Sequence, residues 1–412
     1  MSEDATHAPS PEPGLLADLP EHIALASAET GPFTYEQLID RLSRGLTEIG
    51  LPVWRTFLGV ETLHPVESGR TVTWSDGEIV TFHRAREGVM EAEAYLNSPV
   101  WIVDETGEPL RIRLTETDLE MPTILEMRAG GGTDYYIAPL PFYDDARTAV
   151  ISFATRAEGG FSDRDLAALA AAVAVISPHI ERLAIREIAV NLLETYVGPR
   201  SGQRVFQGLI DRGDLTTVSA AILFADLRNY TILSERLPAA ETVSLLDTWF
   251  DTLGGPIEAQ GGEILKFLGD GLLAVFPGDG TPARACRSAL NAARETAEAF
   301  ARVPEAIGLA ADEIGFGIGL HYGELGYGNV GSRHRLDFTV IGPAVNLASR
   351  LQDLSKSRPE MILASEAFAR CVGPNRLTET LVPDYLVPVG DYELRGIADP
   401  VSVYAVPVPD TS

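Results

Sequence analysis

The sequence predicts an α+β chain of two domains joined by a helix. Three observations carry this expectation. The chain has 412 residues, 45% of them hydrophobic, enough for two ordinary cores. Helix-periodic stretches alternate with short strand-like runs bounded by Gly, Asp and Pro turns. Between the two halves, a helix opening at Ser162 carries apolar residues at steps of three and four.

Taken in chain order, residues 1–20 are acidic and Pro-rich and read as a disordered tail. From 21 to 160, "TYEQLIDRLSRGLTEIG" has helical periodicity, and "TVTWSDGEIVTFHR", "PVWIVDE", "DYYIAPLPF" and "TAVISFATR" read as strands of a largely antiparallel sheet. A helical linker, 161–202, starts at Ser162 with Asp165 placed for a capping box. Its seam is Leu166, Leu169, Val173, Ile176, Ile180 and Leu183, broken at Glu187 and resumed at Val190. Such a seam either covers the sheet of its own domain or pairs two chains in parallel, and Pro178 should kink both versions. "YVGPRSG" ends it.

The second domain, 203–408, opens with the strand "SAAILFADL" and a helix within 239–259. A hairpin of "GEILKFLGD" and "GLLAVFP" follows, then a helix from 281 to about 303 and the strand "GFGIGLHYG". "LDFTVIG", the helix "PAVNLASRLQDL" and short strands complete it. The βαββαβ order predicts helices packed on one face of an antiparallel sheet.

A net charge of −27 repels nucleic acid and anionic membranes, and such a chain would need metal cations to handle a polyphosphate. Two cysteines, Cys286 and Cys371, rule out a disulfide framework or a Cys-rich zinc site. The longest small-apolar run, "LAALAAAVAVIS", is short for a membrane span, and the first residues lack a basic, apolar leader pattern. A cytoplasmic protein with no membrane or nucleic-acid partner is the expectation.

Several residues invite chemistry. Asp226 ends the apolar strand "AAILFAD", and Asp270 sits at the hairpin turn. Either alone is most often a turn former or a cap. If the first strand lies beside the hairpin, both carboxylates emerge at one sheet edge and could hold Mg²⁺ against phosphate oxygens. Asn346 and Arg350 are spaced i, i+4 on one helix face behind Pro343, as a solvated stripe or as groups that orient a sugar and neutralise a phosphoryl charge. Lysine occurs only twice among 32 basic residues, at 266 and 356. Lys266 inside "ILKFLGDGLLAVF" is either drift at a solvated strand end or a site needing a compact, rotatable ammonium.

"FADLRNYT", "KFLGDGLLAVF" and "LDFTVIGPAVNLASRL" resemble, in order and spacing, the three signature regions of class III nucleotide cyclases. The resemblance implies a ferredoxin-like catalytic domain that works as a homodimer, its site groups meeting across the interface. It implies that Asp226 and Asp270, with the backbone carbonyl of Leu227, hold two Mg²⁺ or Mn²⁺ ions. It gives Lys266 and Thr339 as the base-selecting pair, Asn346 as the ribose contact and Arg350 as the group that stabilises the transition state. Two positions depart from the family pattern: Asn229 replaces a usual glycine, and Pro343 stands where an aspartate is common. An ammonium and a hydroxyl can satisfy adenine N1 and N6, whereas guanine normally calls for a carboxylate. The pairing therefore favours ATP and resembles the soluble, often bicarbonate-responsive adenylyl cyclases.

The first domain, through "GGFSDRDLAALAAAVAVI", resembles a GAF-type sensor in its final helix. It lacks cysteine, which excludes a thioether-linked chromophore and leaves a small regulatory ligand open. The alternatives are a guanylyl cyclase, disfavoured by Lys266, and a catalytically silent cyclase fold that relays signals, disfavoured because neither metal aspartate nor the arginine is lost. A diguanylate cyclase should carry a GGDEF-like turn where this chain has LGDG.

Overall fold

The computed structural model describes residues 33–86, 93–143, 148–278, 281–373 and 386–408; the expected tail, residues 1–20, lies outside them. The chain divides into two compact units, Met1–Thr195 and Tyr196–Ser412, and the division falls inside one helix, Asp163–Val197.

In the first unit, helices α1 (Tyr35–Glu48), α2 (Glu93–Leu96), α3 (Pro99–Thr106), α4 (Pro122–Ala129) and α5 (Asp163–Val197) surround a six-stranded sheet. The strands are β1 (Arg55–Glu61), β2 (Glu67–Ser75), β3 (Glu78–Ala85), β4 (Leu110–Arg113), β5 (Asp134–Pro139) and β6 (Ala149–Thr155). All pairings are antiparallel, in the order β3-β2-β1-β6-β5-β4. Residues of α1 and α5 fill the core on one face, and those of α3 and α4 fill it on the other.

"PVWIVDE", expected as a strand, is helix α3. Ser98 accepts from the Trp101 amide, Pro99 occupies the first turn and Gly107 closes the end in the left-handed conformation, so strong caps override the β-branched run.

The capping box at Ser162 forms, with Asp165 and Ser162 exchanging backbone-to-side-chain bonds of 2.9 and 3.2 Å. The seam that follows serves its own unit: Leu169, Val173, Ile176 and Ile180 are buried against the sheet. Glu187, which interrupts it, pairs with Arg70 of β2 at 2.9 Å. Helix α5 continues through Pro178. Among the described residues it is the one helix long and apolar enough, by length and composition, to cross a bilayer, which the run at 166–177 alone did not suggest; its apolar seam lies in the core of its own unit.

The second unit contains α6 (Pro199–Phe206), β7 (Leu215–Arg228), α7 (Tyr230–Arg236), α8 (Ala239–Ala259), β8 (Glu263–Leu268), β9 (Gly271–Pro277), α9 (Pro282–Phe300) and α10 (Val303–Ala306). It continues with β10 (Gly315–Gly331), β11 (Leu336–Ile341), α11 (Pro343–Ser355), β12 (Ile362–Ser365), α12 (Glu366–Val372), β13 (Val387–Tyr392) and β14 (Val401–Ala405). The strand order is β13-β14-β12-β10-β7-β9-β8, with β11 paired to β10. Within it, β7-α8-β8-β9-α9-β10 is the expected βαββαβ core, and β12 joins β10 in parallel.

Residues of α8, α9 and α12, Trp249 of α8 among them, cover one face over Phe276 and Phe316. Helix α11 lies on the opposite face, where all helices had been expected on one. The glycines of "GFGIGLHYG" are the cause. A Cβ at Gly319 would strike the Ala348 carbonyl and the Gln352 amide, and one at Gly317 would strike Ser355 Oγ. Their absence lets the helix lie directly on β10.

Candidate active site

Strand alternation builds the acid pair. Leu223, Ala225 and Leu227 of β7 point into the core under α8 and α9, so Asp226 turns to the face that α11 covers. β7 pairs with β9 so that Asp226 faces Gly271, which brings the hairpin turn and Asp270 alongside. The turn is Gly269-Asp270, with Gly269 at φ +72°, and the Asp270 carbonyl accepts a 2.9 Å bond from the indole N–H of buried Trp249. Asn229, the departure from glycine, adopts φ +67° as the N-cap of α7.

Burial raises the Asp270 carboxyl above the usual range, and hydrogen bonding to Asp226 and its charge push the same way. Among the described residues, Asp226 Oδ1 is buried and has no hydrogen-bond partner. The other oxygen, Oδ2, carries the ammonium of Lys356, the residue capping α11. An orphaned carboxylate oxygen beside a second carboxyl, at a half-buried hairpin turn, fits a hard divalent cation. Among the described residues no three His, Cys, Asp or Glu side chains cluster for a metal, so further ligands would have to come from backbone or substrate.

The base-selecting side is set by a β-bulge. Register between β8 and β9 shifts between Ile264 and Lys266: Ile264 opposes Ala274, whereas Lys266 opposes Leu273. Ala274 lies in the core under α8 and α9, and Leu273 lies in the core under α11. With Leu265 as the extra residue, Lys266 is turned from Ile264's face to the face of α11 and β11. There its Nζ lies 2.5 Å from Asp337 Oδ2, two residues before the buried Thr339 in β11.

The structure thus brings Asp226 to Asp270, and Lys266 to the strand of Thr339. Asn346 is exposed on α11. Arg350 bonds Asp353 at 3.0 Å and the Arg395 carbonyl at 3.2 Å. Two residues at the site were not singled out by sequence, Lys356 and Asp337. Lys356 is the chain's other lysine, a signal that was available; Asp337 gave none, because its contact depends on the bulge.

Residues 215–406 match the family of the adenylate and guanylate cyclase catalytic domain. The C-terminal unit has the cyclase catalytic fold. The matched stretch includes all seven sequence-predicted residues, from Asp226 to Arg350. The cyclase unit is similar to an adenylate cyclase of Anabaena cylindrica, 31% identical over 203 residues, which is 48% of this chain and 38% of that protein. It is similar to adenylate cyclase 1 of Rhizobium meliloti, 32% identical over 45% of this chain and 27% of that one. An uncharacterized protein of Mycobacterium bovis is 39% identical over 35% of this chain and 26% of its own length. The chain therefore covers well under two thirds of these relatives. Among solved structures, the adenylyl cyclase CyaB from P. aeruginosa is 26% identical, with 47% of this chain and 96% of that one covered at a TM-score of 0.40.

Proposed function

We propose that the cyclase unit converts ATP to 3′,5′-cyclic AMP and pyrophosphate, as a homodimer whose sites combine residues of both chains, under control of the N-terminal unit. The observation that carries the choice of ATP is the Lys266 ammonium, turned by the bulge onto the face of Thr339. An ammonium donates to adenine N1, and the Thr339 hydroxyl accepts from N6.

Attack of the ribose 3′-oxygen on the α-phosphorus forms the 3′-O–P bond and breaks the bond to the bridging oxygen, releasing pyrophosphate and the hydroxyl proton. Asp226, Asp270 and the Leu227 carbonyl would hold two Mg²⁺ or Mn²⁺ ions, which when bound supply charge neutralisation and a more acidic 3′-hydroxyl. Asn346, exposed on α11, orients the ribose for in-line attack. Arg350 exchanges its exposed partner Asp353 for a phosphoryl oxygen as charge builds there. Assaying purified protein for cyclic AMP and cyclic GMP, with ATP or GTP and Mg²⁺ or Mn²⁺, tests the proposal. A preference for GTP, or no product from either, would overturn it.

A further inference from the structure

We propose that Asp337 determines base choice: its carboxylate fixes the Lys266 ammonium beside Thr339, and the ammonium in turn withholds that carboxylate from guanine. Resting on the cyclase reading above, this names a specificity residue two positions from Thr339. Asp337 and Thr339 leave β11 on the same face, because side chains alternate along a strand. The 2.5 Å contact between Lys266 Nζ and Asp337 Oδ2 reaches across from β8 to that face. The pair is open to a ligand, with side-chain exposure of 25% for Lys266 and 61% for Asp337.

An ion pair this exposed contributes little to folding, so its effect is positional. A lysine stem has many rotamers, and an ammonium already held in place loses less freedom on meeting adenine N1. The same carboxylate has a second capability. Guanine presents N1–H and N2–H₂ side by side, and one carboxylate can accept from both. Adenine presents a lone pair at N1, which a bare carboxylate repels. Lys266 with Asp337 therefore reads adenine, whereas Asp337 without Lys266 reads guanine.

Binding of methylanthraniloyl-labelled ATP and GTP to the full chain, with Mn²⁺, tests this in the wild type, Asp337→Asn, Asp337→Glu, Lys266→Ala and the double variant Lys266→Ala/Asp337→Asn. Asp337→Asn should weaken ATP binding about fivefold and Asp337→Glu should restore most of it. Lys266→Ala should shift the ATP:GTP ratio toward GTP by about tenfold, and the double variant should lose that shift. Circular dichroism melts check that each variant is folded. Unchanged ATP binding in Asp337→Asn, or equal ratios in Lys266→Ala with and without Asp337, overturns the proposal. Wild-type turnover separates the two readings: product from GTP alone defeats the adenylyl assignment, yet the binding ratios still decide the role of Asp337. A wild type that binds neither nucleotide defeats both.

Discussion

The ammonium of Lys356 rests on the carboxylate of Asp226, so one of the chain's two lysines occupies one of the two carboxylates predicted to hold metal. A cation arriving at Asp226 meets a positive charge already there and must displace it. Lys356→Met should tighten Mn²⁺ binding to the nucleotide-free protein by roughly threefold to tenfold, the size of one screened charge at a partly exposed site. Titration of free Mn²⁺ by electron paramagnetic resonance reads this directly. Weaker binding in the variant would mean that Lys356 supports the site.

Removing either member of the acid pair should end turnover without unfolding the protein. The Asp270 carboxyl is held above its usual range by burial and by Asp226, so the metal-free pair is a site of repulsion. Asp226→Ala and Asp270→Ala should each lose cyclic nucleotide production while the melting temperature stays within about 5 °C of wild type. Near-normal turnover in either variant would remove that residue from the metal site.

A histidine outside the site gives the unit an acid-side limit. His321 of β10 is buried, its Nδ1 lies 2.7 Å from Ser365 Oγ, and burial pushes its pKa down to about 4. An unfolded histidine titrates near 6.5, so between these values the unfolded chain binds a proton that the folded chain refuses. The contribution of His321 is full above about pH 6.5 and falls as pH drops toward 4, by up to about 3 kcal/mol. Urea midpoints across that range should show the loss, and His321→Gln should flatten it. An equally steep dependence in the variant would assign the loss to other groups.

The seat of α11 can be tested by a contrast between two glycines of one strand. A Cβ at Gly319 would strike backbone atoms of Ala348 and Gln352, which cannot move without displacing the helix. At Gly315 the nearest atoms are those of the Arg228 side chain, at 3.5 Å. Gly319→Ala should therefore cost several kcal/mol or unseat Asn346 and Arg350, whereas Gly315→Ala should fall within about 1 kcal/mol of wild type. Equal tolerance at both positions would mean that α11 does not lie directly on β10.

What was legible in the sequence was what local pattern encodes. The three motifs marked the strand ends and helix faces that carry Asp226, Asp270, Asn346 and Arg350, and the βαββαβ order followed from periodicity. The face on which Lys266 emerges was not legible, because one extra residue at Leu265 inverts the alternation and a bulge leaves no mark in a run of apolar residues. The position of α11 was readable only in retrospect, from Gly317 and Gly319. Lys356 meets Asp226 from far along the chain, a contact that only the packed fold creates. In the first unit, "PVWIVDE" misled because residue preference favoured a strand while Ser98 and Gly107 capped a helix.

The proposed sharing of sites between two chains makes a quantitative demand. Within one chain Arg350 bonds Asp353 and the Arg395 carbonyl, while Asp270 lies with Asp226. If each site takes its acid pair from one chain and Arg350 from the other, a twofold axis creates two equivalent sites. Asp270→Ala and Arg350→Ala should each be inactive alone, because each lesion spoils both sites. In a mixed dimer both lesions fall in one site and the other is intact. Equal co-expression gives about half mixed dimers with one good site in two, so activity should return to roughly a quarter of wild type if sites act independently. Differently tagged chains allow the mixed dimer to be isolated and assayed for cyclic AMP. An inactive mixed dimer would place Asp270 and Arg350 in the same site within one chain, since every site would then carry one lesion.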